Sequence, residues 1–227
     1  MIYNYMEINQ GGEPMRQSYI TIARQVEVEY VEKKSRFIAA AKCVNNIDAA
    51  EEFLAAIKAH YRDASHHVYA MIIGEQDQIQ RSNDDGEPSG TGGRPTLNTI
   101  QQADLHDTLI VVTRYFGGTL LGAGGLTRAY AKAANMAITA AGRIEKIPAH
   151  RFSIAFPYVA VDRIFKYIED SGFQILDKYF SERVGLNCLI PDQDQESALA
   201  GLKVVSGGRI HILDLGVEQY IERLLDE

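Results

Sequence analysis

Two polar, glycine-containing segments carry most of the side chains that could bind or react with a ligand. The first, the acidic loop (residues 82–93), contains the carboxylates of Asp84, Asp85 and Glu87, and next to them the hydroxyl groups of Ser89 and Thr91. Carboxylates at this spacing could hold Mg²⁺ beside a phosphate. They could also pair with Arg94 or Arg114, contact a partner, or rigidify the loop by accepting bonds from its backbone N–H groups. Internal ion pairing is the favoured interpretation, and a metal site is the weaker alternative.

The second segment, the glycine loop (residues 116–125), precedes a predicted helix. Its five glycines are Gly117, Gly118, Gly122, Gly124 and Gly125. Free backbone N–H groups at the positive end of a helix favour a phosphate or carboxylate. Arg114 before the loop and Arg128 after it could add bidentate contacts to such an anion. The loop matches neither a P-loop nor a dinucleotide-binding fingerprint. The alternative is that the glycines permit close packing of a strand against a helix.

Two adjacent histidines, His66 and His67, fall on a predicted strand. Neighbouring side chains on a strand point to opposite faces, so the pair is not expected to share one metal ion. A structural role for one and a position near the loops for the other are favoured over a catalytic histidine. Ser89 is a weak nucleophile candidate because no Gly-x-Ser-x-Gly elbow surrounds it.

An aromatic pair and a basic cluster lie next to these segments. Tyr115 and Phe116 could stack on a nucleic-acid base, and they are equally suited to core packing. Lys33, Lys34 and Arg36 could follow a phosphate backbone, although a solvated edge is the default interpretation.

The elements that position these residues are predicted from hydrophobic periodicity. Residues 109–113 form an apolar strand, typical of a sheet covered on both faces. Asn46 or Asp48 can cap one helix, and a further helix over 126–141 ends at Gly142. Further strands are expected at 19–33, 37–44 and 66–74, and a helix is expected to start at 94–96.

Residues 143–150 are interpreted as a short link between two domains. Beyond it the pattern predicts strands at 152–156, 173–180, 183–190 and 209–215, and helices at 161–171 and 192–205. The order βαββαβ is that of ferredoxin-like domains. Ile221, Leu224 and Leu225 predict a short terminal helix.

Several ordered blocks resemble the IMPACT/YigZ-like family from about residue 18 to near the C-terminus. They are KKSRFIA, DASHHVYA, DDGEPSGTGGRP, VVTRYFGG and LGAGGLTRAY. The resemblance implies an α/β (α+β) protein whose first domain, 18–147, has the ribosomal protein S5 domain 2-like fold. It implies that the second domain, 148–227, is ferredoxin-like and similar to domain V of elongation factor G. Residues 1–17 are expected to form a loose leader, with Met15 as an alternative start.

Composition excludes some classes of function. The net charge of −7 provides no global attraction for nucleic acid, so any such contact needs a local basic patch. The two cysteines, Cys43 and Cys188, form no disulfide framework or metal-binding spacing. Because no apolar run approaches a membrane span and no signal peptide is evident, a cytoplasmic protein is expected.

The family resemblance implies a role near translation, because its eukaryotic members are linked to translational control. The leading hypothesis is a regulatory protein whose loops contact phosphate groups of RNA or of the ribosome. One alternative is an enzyme acting on a phosphorylated small molecule, with a metal held by Asp84, Asp85 and Glu87. The other is a protein-interaction module. These 227 residues contain no RWD domain, so the protein partner which that domain recruits in those relatives is not carried over.

Overall fold

The computed structural model describes residues 18–225, except for the side chains of 217–219. Contacts divide this part of the chain into two compact units. The N-terminal unit comprises residues 18–146 and 222–225, and the C-terminal unit comprises residues 147–221. The leader predicted over residues 1–17 lies outside the described residues. No helix in the described part of the chain is long and apolar enough to cross a membrane.

The strands of the N-terminal unit are β1 (Tyr19–Ile22), β2 (Val26–Glu32), β3 (Ser35–Cys43), β4 (His66–Ile73), β5 (Ile79–Asn83) and β6 (Thr108–Tyr115). Five of them form an antiparallel sheet with the strand order β2-β3-β6-β4-β5, on which the unit is built. Its helices are α1 (Ile47–His60), α2 (Gly93–Gln102) and α3 (Ala123–Ala141). Strand β1 lies outside this sheet and pairs with residues 143–146.

Helices cover both faces of this sheet, and the central strand β6 is buried on each side. Ile110 and Val112 pack in the cluster formed with α2 and α3. Leu109 and Val111 pack with α1 on the opposite face. The uninterrupted apolar sequence of β6 follows from this double covering, which confirms the sequence prediction.

Local signals set the helix ends. The side chain of Asn46 accepts a hydrogen bond from the Ala49 N–H at 2.8 Å, so Asn46 rather than Asp48 caps α1. Gly142, at φ +68°, ends α3 in a conformation that glycine adopts without steric cost.

The C-terminal unit has the predicted βαββαβ order. Its elements are β7 (Arg143–Phe156), α4 (Val161–Asp170), β8 (Gln174–Phe180), β9 (Val184–Pro191), α5 (Gln195–Val205) and β10 (His211–Leu224). The strands are ordered β8-β9-β7-β10, which is the ferredoxin-like arrangement. Ile164 and Ile168 of α4 and Leu202 of α5 are buried against the strands. The two predicted folds are therefore confirmed.

Two local predictions are wrong, and one strand was missed. Residues 143–150 are not a link but the first part of β7, and Pro148 falls between the residues that pair with β1 and those that pair with β9. The terminal segment with Ile221 and Leu224 belongs to β10 and is not helical. Strand β5 was not predicted, because its sequence, IQRSN, has one apolar residue and lies at a sheet edge.

Candidate anion-binding site

Three strands of the N-terminal unit bring the predicted site residues to one end of the sheet. The backbone of Arg114, near the end of β6, pairs with Phe37 of β3 on one side and His66 of β4 on the other. Ser35 and Arg36 begin β3 beside these residues. Because antiparallel strands alternate in direction, the start of β3 and β4 meets the end of β6, where the glycine loop begins.

A buried ion pair joins the acidic loop to this strand end. Arg114 Nη1 donates to Glu87 Oε1 at 2.6 Å, and these residues are only 4% and 8% exposed. The hydroxyl of Tyr130 on α3 donates to the same carboxylate oxygen at 2.7 Å. Burial and the adjacent Glu87 carboxylate raise the pKa of Tyr130 far above its usual value, so the phenol remains a donor. Glu87 thus links the acidic loop to both β6 and α3.

The guanidinium of Arg114 also fixes the base of the glycine loop. Arg114 Nη2 donates to Ser35 Oγ at 3.3 Å, and that oxygen accepts the Gly117 N–H at 3.1 Å. The guanidinium lies 5.4 Å from the ring centroid of Phe37 and 5.6 Å from that of Phe116. Arg114 is therefore a buried organising residue that pairs with the acidic loop, which is one of the two roles that the sequence left open for it.

Asp84 closes the acidic loop from within. One carboxylate oxygen accepts the N–H groups of Gly92 and Gly93 at 2.9 and 2.8 Å, and the other accepts that of Gly90 at 2.7 Å. Burial alone would raise the pKa of Asp84, but the three N–H donors outweigh it and hold the pKa below its ordinary value of 3.8. The first amides of α2 are thereby occupied by the protein's own carboxylate.

Asp85 and the two histidines form a neighbouring network. Asp85 Oδ2 accepts the His67 N–H at 2.7 Å, and Lys58 Nζ lies 3.6 Å from Oδ1. His66 Nδ1 donates to the carbonyl oxygen of Asp85 at 2.8 Å, and its Nε2 lies 3.9 Å from Glu87 Oε1. His67 is buried, and Nδ1 lies 3.1 Å from Thr113 Oγ1; burial lowers the pKa of His67.

The remaining polar side chains of this region are separate from the ion pair. Thr91 is buried, and its hydroxyl donates to the Pro88 carbonyl oxygen at 2.6 Å. Ser89 and Arg94 are exposed, and it is Arg114 that pairs with Glu87 of the acidic loop. Within residues 18–225 no three His, Cys, Asp or Glu side chains are grouped to hold a metal ion.

The glycine loop, in contrast, leaves the start of α3 open. Gly122 precedes the helix at φ +73° and has no side chain that could cap the first turn. The first turn also contains no acidic residue. The N–H groups of Ala123, Gly124 and Gly125 precede the first possible intrahelical bond, in which Leu126 donates to Gly122. The exposed side chain of Arg128 lies next to Gly124.

A basic hairpin tip lies against the glycine loop. Lys33 and Lys34 connect β2 to β3, both exposed and both at positive φ (+46° and +69°). Gly117 is packed so closely against Lys34 that an added Cβ would lie 2.1 Å from the carbonyl carbon of Lys34. Neither lysine, nor Arg128, has an ion-pair partner within the described part of the chain.

The two residues of the aromatic pair differ in exposure and in their partners. Tyr115 is half-buried, donates to Asp63 Oδ1 at 2.8 Å, and lies under the guanidinium of Arg36. Arg36 is itself paired with Glu29 at 2.9 Å, so it is less available to a ligand than Lys33 or Lys34. Phe116 is 49% exposed.

Sequence reasoning missed Tyr130 and Ser35. Tyr130 lies on the buried face of α3 among alanines, and a buried phenol needs a hydrogen-bond partner. That requirement was a usable signal for a polar contact at this position. Ser35 lies between two basic residues, and nothing in its sequence context indicated that it would accept the Gly117 amide.

The fold and the site define a two-unit α+β protein that combines an S5 domain 2-like unit with a ferredoxin-like unit. The chain belongs to the IMPACT family. Residues 33–138 match the Impact N-terminal domain. "IMPACT family member YvyE" of Bacillus subtilis (strain 168) is 35% identical over 212 residues, which cover 93% of this chain and 97% of the relative. "IMPACT family member YigZ" of Escherichia coli (strain K12) is 31% identical, with 87% and 98% covered.

A solved structure supports the same two-unit fold. A chain described as "Crystal structure of an hypothetical protein" is similar with a TM-score of 0.58 and 29% sequence identity. The match covers 89% of this chain and 99% of that one. The similarity therefore extends over both units of the present chain.

Proposed function

We propose that the glycine loop and the start of α3 bind phosphate groups of RNA, and that the protein is a translation-associated regulatory protein that contacts RNA or the ribosome. The observation that carries this proposal is the uncapped first turn of α3, with the exposed Arg128 beside it. Oriented N–H groups at a helix start favour an anion, and a guanidinium adds a bidentate donor.

Unpaired cations that adjoin the glycine loop support the same ligand. Lys33 and Lys34 reach the glycine loop through the close contact between Lys34 and Gly117. Together with Arg128 they give three exposed positive charges, although the whole chain carries a net charge of −7. A polyanion such as RNA can contact several of these cations at once, whereas a single small anion cannot.

The metal-dependent alternative has less support. Each of the three carboxylates that it requires already has donors from the protein. Asp84 accepts three loop amides, Asp85 accepts the His67 amide, and Glu87 pairs with Arg114. Family membership favours RNA over a small phosphorylated substrate, because members in eukaryotes are linked to translational control.

Salt-dependent RNA binding by the full chain tests the proposal. We expect labelled 20-nucleotide oligouridylate to bind more weakly as KCl rises from about 50 to 300 mM, with a slope of about −2 for three phosphate contacts. Arg128→Ala should weaken binding and make the slope less negative by about 0.7. The exposed Arg163 of α4 provides the matched control, since Arg163→Ala removes the same charge in the other unit.

Two results would overturn the proposal. One is RNA binding that neither depends on salt nor changes in Arg128→Ala. The other is no RNA binding at any salt concentration; if affinity capture then recovered only proteins, the interaction-module alternative would replace the RNA hypothesis.

A further inference from the structure

Phe116 presents an aromatic ring to solvent at the start of the glycine loop. About half of the residue is exposed, although Phe is among the residue types most often buried. Its backbone N–H donates to Ser65 Oγ at 3.2 Å, which fixes the direction in which the residue leaves β6. The exposed ring is therefore attached to a backbone that is held by the fold.

The ring is also supported by a cation that cannot easily move. The guanidinium of Arg114 lies 5.6 Å from the centroid of the Phe116 ring, within the range of a cation–π interaction. Arg114 is itself held by the buried ion pair with Glu87 and by the hydroxyl of Ser35. A ring held in place before binding loses little conformational entropy when a ligand stacks on it.

The unpaired cations adjoin the loop that begins with this ring. Gly117 follows Phe116 directly and lies against the backbone of Lys34, so the basic hairpin tip meets the loop one residue beyond the ring. The loop then continues through Gly118 to the open start of α3. An exposed ring beside phosphate-binding groups is the combination by which proteins bind single-stranded nucleic acid.

We infer that the RNA bound at this site is single-stranded, and that one of its bases stacks on the ring of Phe116. This inference rests on the proposed function. A base within a duplex is already stacked between its neighbours, so the face that would meet Phe116 is not available there. An unpaired base offers that face, and stacking is tolerant of sequence because every base has a π-face.

A single tryptophan makes the stacking measurable. The sequence contains no tryptophan, so Phe116→Trp introduces one fluorescent reporter at the proposed position. We expect single-stranded oligouridylate to quench this fluorescence, whereas a blunt duplex of the same length and inorganic tripolyphosphate do not. Leu120→Trp is the matched control, since Leu120 is 83% exposed in the same loop and has no role in the inference.

Removing the ring supplies the second measurement. Phe116→Ala should weaken binding of the single strand by at least about fivefold, whereas Phe116→Trp retains it. Leu120→Ala should leave the affinity unchanged. Thermal melting of each variant separates loss of binding from loss of the fold.

The outcomes distinguish this inference from the proposed function. If the duplex binds as tightly as the single strand and Phe116→Ala has no effect, while Arg128→Ala still weakens binding, the inference is wrong and the phosphate site stands. If single-stranded oligouridylate quenches the fluorescence of Leu120→Trp as strongly as that of Phe116→Trp, the quenching does not report stacking at position 116. The inference is then also wrong. If no RNA binds, both fail.

Discussion

The acidic loop and the glycine loop both lead from a strand into a helix, but only the acidic loop supplies its helix with an acceptor. Asp84 accepts three N–H groups, including those of Gly92 and Gly93 at the start of α2. The glycine loop contains no carboxylate, and the first turn of α3 is uncapped within the described chain. Glycine-rich sequence therefore exposes amides in both places, and a nearby acid determines whether the protein uses them internally.

Glu87 is the residue that ties these two regions together, and its removal should have the largest effect on stability. Glu87→Ala leaves the guanidinium of Arg114 buried without its partner and removes the acceptor of Tyr130. Breaking a buried pair from one side costs about 3–5 kcal/mol. We expect a loss of this size in the free energy of unfolding, measured by urea denaturation.

An exposed glutamate provides the comparison for this variant. Glu52 lies on the solvent side of α1, so Glu52→Ala should change the free energy of unfolding by less than about 0.5 kcal/mol. A loss below about 1 kcal/mol in Glu87→Ala would mean that the ion pair does not hold the two loops together.

Asp84→Ala should remove the internal closure of the acidic loop at an intermediate cost. Leaving buried N–H donors without an acceptor costs about 1–3 kcal/mol. Because folding lowers the pKa of Asp84 below 3.8, its stabilising effect is fully present above that pH and is lost as pH falls through the folded-state pKa. The difference in unfolding free energy between wild type and variant should therefore shrink in acid.

Asp84→Asn separates the charge from the hydrogen bonds. The amide keeps one acceptor oxygen, so this variant should be more stable than Asp84→Ala at neutral pH. Its stability relative to Asp84→Ala should not depend on pH. A difference between wild type and Asp84→Ala that stays constant down to pH 2 would contradict the assigned cause of the lowered pKa.

Much of the fold could be predicted because its signals are local. The apolar run of β6 and the cap of α1 depend on a few consecutive residues, so the run was identified and Asn46 was one of two cap candidates. The terminal strand was mistaken for a helix because Ile221, Leu224 and Leu225 have helical spacing. Backbone pairing overrides that spacing, and the pairing partner of a strand cannot be read from its own sequence.

The chemistry of the candidate site was less predictable because it depends on contacts between distant residues. Arg114 could be named from its position before the glycines, but its burial depends on Glu87, 27 residues earlier, and on Ser35, 79 residues earlier. The density of glycine in the glycine loop likewise did not reveal which glycine has no room for a side chain. Gly117 has no room for a Cβ beside Lys34, whereas Gly124 would place one at an ordinary 3.5 Å from the tip of Arg128.

The substitution with the smallest expected change in stability tests the difference between the two loops most directly. It gives the glycine loop a carboxylate beside its helix amides, as the acidic loop has in Asp84. Ala123 is exposed at the first position of α3, so Ala123→Asp places a carboxylate beside the free amides. An acid in the first turn of a helix stabilises it by about 0.3–1 kcal/mol at low salt. We expect this gain in unfolding free energy together with about tenfold weaker RNA binding, since the carboxylate occupies the amides and repels phosphate.

The neutral Ala123→Asn should weaken binding less. Opposite signs for stability and affinity would show that the amides of α3 are kept open at the expense of the fold, whereas unchanged affinity in Ala123→Asp would mean that RNA does not use them.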